Sequence, residues 1–187
     1  MKNSYIGQAW LVIVLSLGFG AALAGVQAAL KPKIEQNKLN DTIGQIPNLV
    51  PGATGGRAEK VGDLTVYRAT DAQGQPVGWV IPARGQGFAD MLELLVGVDQ
   101  DVQKITGLYV LDQKETPGLG SNIVGDDFRS RFKDKALAKE LAVTKMAPKA
   151  DHEIQGITGA TISSESVVGI VNGAVSKFRA ARGGGGT

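Results

Sequence analysis

The chain has no cysteine and a single histidine, His152, in 187 residues. The first absence excludes a disulfide framework, a thiolate nucleophile and any zinc or iron–sulfur site built on cysteine. The second excludes a two-histidine metal site and leaves His152 as a surface residue rather than a ligand. Charge of one sign is also missing. Twenty basic residues against eighteen acidic ones leave +2, so nothing general draws the chain to nucleic acid. No Walker A loop, GxGxxG or NAD fingerprint occurs, and there is no internal repeat. Glycine, in contrast, is abundant: 26 residues, about twice the usual ~7% share. Gly and Pro together still stay below a low-complexity composition.

Residues 3–30 carry no charge, and the centre, 9–29, is mostly Leu, Val, Ile, Ala and Gly. About 20 helical residues at ~1.5 Å rise cross a ~30 Å hydrocarbon layer. Tyr5 and Trp10 suit an interfacial belt, and Pro32 marks the end of the span. The rival reading is a cleaved signal peptide, with Val26-Gln27-Ala28 as a small-residue cleavage site. Two features count against it: the positive n-region is only Lys2 and the amino terminus, and the apolar run exceeds the usual ~7–15 residues. Residues 1–30 are therefore expected to be a transmembrane anchor. Lys31, Lys33 and Lys38 slightly outweigh Lys2 and the amino group, so charge alone leans against an external domain.

Residues 31–182 are long enough for one hydrophobic core. Ile34, Leu39, Ile43 and Ile46 suggest a helix leaving the membrane and broken by Pro47. Strands are expected at 64–69, 77–83, 91–98 and 105–111, with turns at 71–76 and 99–101. Gly97 is a possible bulge. Ile123, Phe128, Phe132 and Leu137 stand at roughly helical spacing, and a short strand is expected at 141–145. Residues 164–181 form the clearest helix, with Val167, Val171, Ala174 and Phe178 on one stripe. Lys177, Arg179 and Arg182 suit its C-terminal dipole. Residues 183–187 read as a flexible Gly-rich tail. The class is α+β: a transmembrane helix, then a mixed or antiparallel sheet domain with packed helices.

Three glycine segments could carry chemistry. Gly156-Ile157-Thr158-Gly159-Ala160-Thr161-Ile162-Ser163-Ser164 runs into the last helix. Its amides and hydroxyls suit an anion at a helix start; the plainer alternative is a capped turn, with Ser164 as N-cap. Glu115-Thr116-Pro117-Gly118-Leu119-Gly120 makes a tight loop whose backbone a ligand can approach, or an ordinary strand-to-helix connection. Gly85-Gln86-Gly87-Phe88 is a third such loop, with the same two readings.

Thr158-Gly159-Ala160-Thr161, followed by Ile162-Ser163-Ser164, resembles the flavinylation motif of FMN-binding domains. Residues 115–120 resemble the second signature of the same proteins, about 40 residues upstream. With the N-terminal anchor, nearly all of residues 1–182 is similar to the G-subunit family of Rnf electron-transport complexes. The C subunits of sodium-pumping NADH:quinone oxidoreductases are relatives. The extended motif has Asp six residues before its modified Thr, where this chain has Gln155; Asp151 and Glu153 stand out of register.

The resemblance implies FMN joined covalently by a phosphoester to Thr161, attached from FAD by a separate flavin transferase. Residues 31–182 would be the FMN-binding domain. The phosphate would sit at the start of the last helix, with hydrogen bonds from Thr158 and Ser163 beside Gly159 and Ala160. Leu119 would pack on the flavin ring, with Thr116 and neighbouring backbone at its polar edge. Glu115, Pro117, Gly118, Gly120 and Gly87 complete the expected cofactor-binding set; no catalytic or metal residue is expected. The implied partners are the other Rnf subunits. The implied place is the bacterial inner membrane, with the domain on the periplasmic side. The alternatives are the corresponding quinone-reductase subunit, a stand-alone anchored flavoprotein, or a non-redox assembly domain.

Overall fold

The computed structural model describes residues 5–183. The chain divides into two compact units, one up to Asn40 and one from Asp41 onward.

The first unit is helical throughout its described residues, the greater part of α1 (Tyr5–Leu49). From Trp10 to Leu30 its large apolar side chains are exposed on every side. A helix apolar all round is stable in hydrocarbon rather than in water. This one is long and apolar enough to cross a membrane. Pro32 does not interrupt it. A proline removes one i→i−4 hydrogen bond, and here the helix continues past that loss. The expected boundary at residue 30 coincides with no break.

In the second unit the last turns of α1 run through Pro47 to Leu49, so Pro47 does not end the helix either. Termination comes at residues 50–53, where Val50 N–H still donates to Ile46 O and Gly52 takes φ +84°. Next comes an antiparallel meander in consecutive order: β1 (Gly55–Val61), β2 (Leu64–Thr70), β3 (Pro76–Gln86), β4 (Met91–Asp99) and β5 (Ile105–Asp112). The four expected strands are present. β1 is an additional, half-exposed edge strand whose sequence, Gly-Gly-Arg-Ala-Glu-Lys-Val, carries no apolar alternation to signal it.

Alternate residues face two cores. Val80, Leu95 and Tyr67 join Ile46, Leu49 and Val50 on one side. Thr106 Oγ1 donates to Leu49 O at 2.6 Å. The sheet register shifts at Gly97, the expected bulge. A Cβ there would lie 2.5 Å from Leu49 O. On the other side Trp79, Ile81, Leu94 and Val96 pack against α3 (Thr161–Gly183) through Val167, Val171, Val175 and Phe178. Trp79 meets Phe178 edge-on at 5.2 Å. Each fully buried side chain of this size contributes about 1.5–3 kcal/mol over its exposed state.

Between the sheet and α3, Ile123, Phe128, Phe132 and Leu137 are all buried, but not on one helix. The chain makes a 3-10 turn at Gly120–Val124, a single turn α2 (Asp126–Arg129) and another 3-10 turn at Ser130–Phe132. Extended backbone at Gly125 and Lys133 breaks the run. Two short parallel strands follow, β6 (Ala142–Thr144) and β7 (Glu153–Gln155). Three residues of β7 are too few for a periodicity to register. α3 starts at Thr161, three residues before the expected helix, and its Gly183 lies at the head of the expected tail. The rest of that tail, 184–187, lies outside the described residues.

Candidate functional site

Three turns converge at the N-terminus of α3. After β3, Gly87 N–H donates to Asp90 O at 2.8 Å and closes the first. Strand β3 extends through Gln86, so the expected 85–87 loop begins only at Gly87. Asp90 accepts from Met91 N–H at 2.7 Å and pairs with Lys114 at 3.0 Å. The Met91 amide first, and then the Lys114 ammonium, hold its carboxyl below the usual aspartate value. In the second turn Leu119 and Ser121 N–H both donate to Thr116 O. Gly118 takes φ +75°, a conformation that glycine adopts without penalty.

The third turn, 157–160, precedes α3. Ala160 N–H donates to Ile157 O, and Gly159 takes φ +81°. Ser164 does not cap the helix in the expected way. It lies fully buried in the first turn. Its Oγ accepts from Ile157 N–H at 3.0 Å and donates to Ala160 O at 2.9 Å, so it staples the turn from within. Arg131 donates to Gln155 O at 2.6 Å and fixes the approach from β7.

These turns enclose a cavity of about 320 Å³ lined by Phe88, Thr116, Leu119, Gly120, Gly159, Ala160, Thr161, Ile162 and Ser163. Phe88, Leu119 and Ile162 are 60%, 47% and 55% exposed. Three large apolar side chains left in water around one cavity mark a ligand surface. Thr161 is half-buried at the cavity edge, and with Gly159 it also lines a second hollow of about 350 Å³. Thr158, Thr144 and Lys145 border that second hollow. At the start of α3, no acceptor among the described residues takes the N–H groups of Thr161, Ile162 and Ser163. Free amides at a helix start favour an anion.

Seven expected residues thus meet at the cavity: Thr116, Leu119, Gly120, Gly159, Ala160, Thr161 and Ser163. Thr158 faces the neighbouring hollow, and Pro117 and Gly118 lie on the exposed outer side of their turn. Glu115 and Gly87 are buried outside the lining. Glu115 accepts from Ser163 Oγ at 2.6 Å and from Ala89 N–H at 3.1 Å. The Ser163 hydroxyl proton is therefore committed to Glu115, not held ready for a phosphate. Phe88 and Ile162 also line the cavity, outside the set of residues expected from the sequence. The signal for Ile162 was an apolar residue outside the Val167–Val171–Val175 stripe; for Phe88, an aromatic directly after a tight glycine turn. His152 is half-buried at the foot of β7.

An apolar rim, a hydroxyl at a helix start and free amides beside it fit a flavin mononucleotide. The ring needs an apolar wall and the phosphate needs N–H donors. Comparison with known proteins agrees. Residues 87–176 match the model of the FMN-binding domain family, which defines the class. The G subunit of the ion-translocating oxidoreductase complex of Methanosarcina acetivorans is 34% identical over 181 residues, covering 92% of this chain and 93% of the relative. The G subunit of the proton-translocating ferredoxin:NAD(+) oxidoreductase complex of Clostridium ljungdahlii is 32% identical, covering 88% and 86%. The chain belongs to this G-subunit family of redox complexes. Among solved structures, the C subunit of the Na(+)-translocating NADH-quinone reductase of Parabacteroides distasonis superposes with a TM-score of 0.57 at 29% identity. That match covers 64% of this chain and 62% of that one.

Proposed function

We propose that this chain is the membrane-anchored, flavin-carrying electron-transfer subunit of an ion-translocating ferredoxin:NAD+ oxidoreductase, with FMN joined to Thr161. The observation that carries the reading is the setting of Thr161. It is the first residue of α3, beside free amides, on the edge of a cavity rimmed by exposed apolar side chains. Bound there, flavin would supply one- and two-electron chemistry that no side chain offers. The protein's part is to bind and orient it. Leu119, Phe88 and Ile162 would flank the ring, and Thr116 would meet its polar edge. The amides at the start of α3 would offset the phosphate charge.

Among the described residues no side chain hydrogen-bonds the Thr161 hydroxyl to activate it, which supports maturation by a separate flavin transferase. There the Thr161 hydroxyl would accept the FMN phosphoryl group of FAD, with AMP as the leaving group and the hydroxyl proton taken up by the transferase. A covalent tether suits a domain outside the cytoplasmic membrane, where diffusible FMN would be lost. We therefore place residues 1–30 in the membrane and the FMN-binding domain on the periplasmic side. The other subunits of the complex are its partners.

Co-expression with a flavin transferase, followed by denaturing electrophoresis, tests the reading. A fluorescent band that vanishes in Thr161→Ala is expected, with an intact mass raised by one FMN phosphoester. A wild-type chain with no covalent flavin sinks it. Copurifying subunits then distinguish this complex from a quinone reductase.

A further inference from the structure

We propose that Glu115 is the positioning residue of the cleft, a buried brace that acts on the flavin through the three turns and not by contact. The inference rests on the flavin reading for its ligand, while its geometry stands on the chain alone. Glu115 is 4% exposed. Among the described residues no Lys, Arg or His pairs with it. A carboxylate so placed is costly unless its oxygens are satisfied. Both are: Oε1 accepts from Ala89 N–H of the first turn, and Oε2 from Ser163 Oγ in the first turn of α3. Its own backbone opens the second turn, anchored by Glu115 N–H donating to Gln113 Oε1 at 2.6 Å. One side chain therefore joins residues 26 and 48 positions away in sequence.

The brace also gives two glycines a different purpose. From sequence, Gly87 and Gly120 read as places where backbone approaches a ligand. Instead, a Cβ at 87 would overlap Glu115 Oε1 and lie 2.7 Å from Asp90 O. A Cβ at 120 would lie 2.6 Å from both Glu115 Oε2 and Ser163 Oγ. Both φ angles are ordinary, since neither glycine is among those with positive φ. The missing side chains make room for the carboxylate, so Glu115 and Gly87 form one packed unit with Gly120 and Ser163 of the cavity wall.

The test uses the full chain in detergent, in two forms. The first carries Thr161→Ala, so that no flavin attaches, and is followed by amide hydrogen exchange and thermal melting. The second is transferase-loaded and followed by visible circular dichroism of the flavin. Glu115→Ala should lower protection of the Ala89 amide by roughly tenfold or more, because that donor loses its buried acceptor. Glu115→Gln should restore it, since the amide oxygen still accepts from Ala89 and its NH2 can donate to Ser163 Oγ. Gly120→Ala should lower the melting temperature strongly in the parent and less in the Glu115→Ala background, where the contact with Glu115 Oε2 is removed and that with Ser163 Oγ remains. In the loaded chain Glu115→Ala should change the flavin dichroism and Glu115→Gln should leave it unchanged.

Unchanged Ala89 protection in Glu115→Ala overturns the proposal, as does an equal Gly120→Ala penalty in both backgrounds. If Glu115→Ala does not fold, Glu115→Gln decides. Retained Ala89 protection with unchanged dichroism upholds the brace. Lost protection overturns it, and a changed dichroism with protection intact overturns it in favour of a charge acting on the flavin. Should the wild-type chain carry no flavin at all, the flavin reading fails by that fact, and the exchange and melting arms still decide the brace.

Discussion

The 116–120 and 157–160 turns meet at one cavity, and each contains a glycine with positive φ, Gly118 and Gly159. They are held in opposite ways. The first is tied mainly on its exposed side, with Gly118 N–H donating to Ser121 Oγ and Asn122 Nδ2 to Gly118 O. The second is tied from within, by Ser164 in the core and by Arg131 against the carbonyls of Gln155 and Gly156. The lesson is a division of labour by direction. Surface side chains fix the first turn and core side chains the second; Thr116, Leu119 and Thr161, whose side chains bond neither, face the cavity.

The sharpest test of that division is at Thr161. Thr161→Ala should abolish covalent flavin, whereas Thr158→Ala, on the neighbouring hollow, should keep a fluorescent band. Loss of the band in both would erase the distinction. Next comes the inward staple. Ser164→Ala strands the Ile157 N–H and should cost about 1–3 kcal/mol in thermal or denaturant unfolding. Ser121→Ala, on the outer side of the other turn, should stay within about 0.5 kcal/mol. Equal costs would refute the inward–outward contrast.

Gly159→Ala forces an L side chain into a left-handed conformation and should cost about 1–2 kcal/mol. Gly118→Ala carries the same backbone penalty, but its Cβ meets open space, whereas a Cβ at 159 lies 3.3 Å from Leu119 Cδ2. Only the Gly159 variant should therefore shift the flavin absorbance. Leu119→Ala should change stability by less than about 0.5 kcal/mol and still alter the flavin dichroism. The smallest effect is at Asp90. Its carboxyl is held low in the fold, so its stabilising contribution is complete above the usual aspartate value, about 3.9. It fades as pH falls through the lowered value. Protection of the Met91 amide should accordingly decline only on acidification below about pH 4 and not between neutral pH and 5.

Much of this was legible in the sequence because it rests on local patterns. The α3 stripe, strands β2 to β5 and the three glycine segments each announce themselves within a dozen residues. What stayed hidden depends on long-range contact. Ile123, Phe128 and Phe132 read as one helix because spacing reports which residues are buried, not whether Gly125 turns the chain between them. Ser164 looked like a cap because serine before an apolar run usually is one. Its inward bonds to residues 157 and 160 move the helix start to Thr161. Glu115 looked like a ligand contact for want of any sign that Ser163 and Ala89 would face it.

The consecutive order of the meander bears on how the molecule assembles. Every pairing from β1 to β5 joins neighbours in sequence, so the sheet has low contact order and should form early. The cleft cannot follow at once. It waits for residue 163 to return to residue 115, and for 115 to reach 89, closures that carry a larger entropic cost. Under the proposed function, a flavin held in this cleft would report that the 163–115 and 115–89 closures have been made, since the cavity lining exists only once they are.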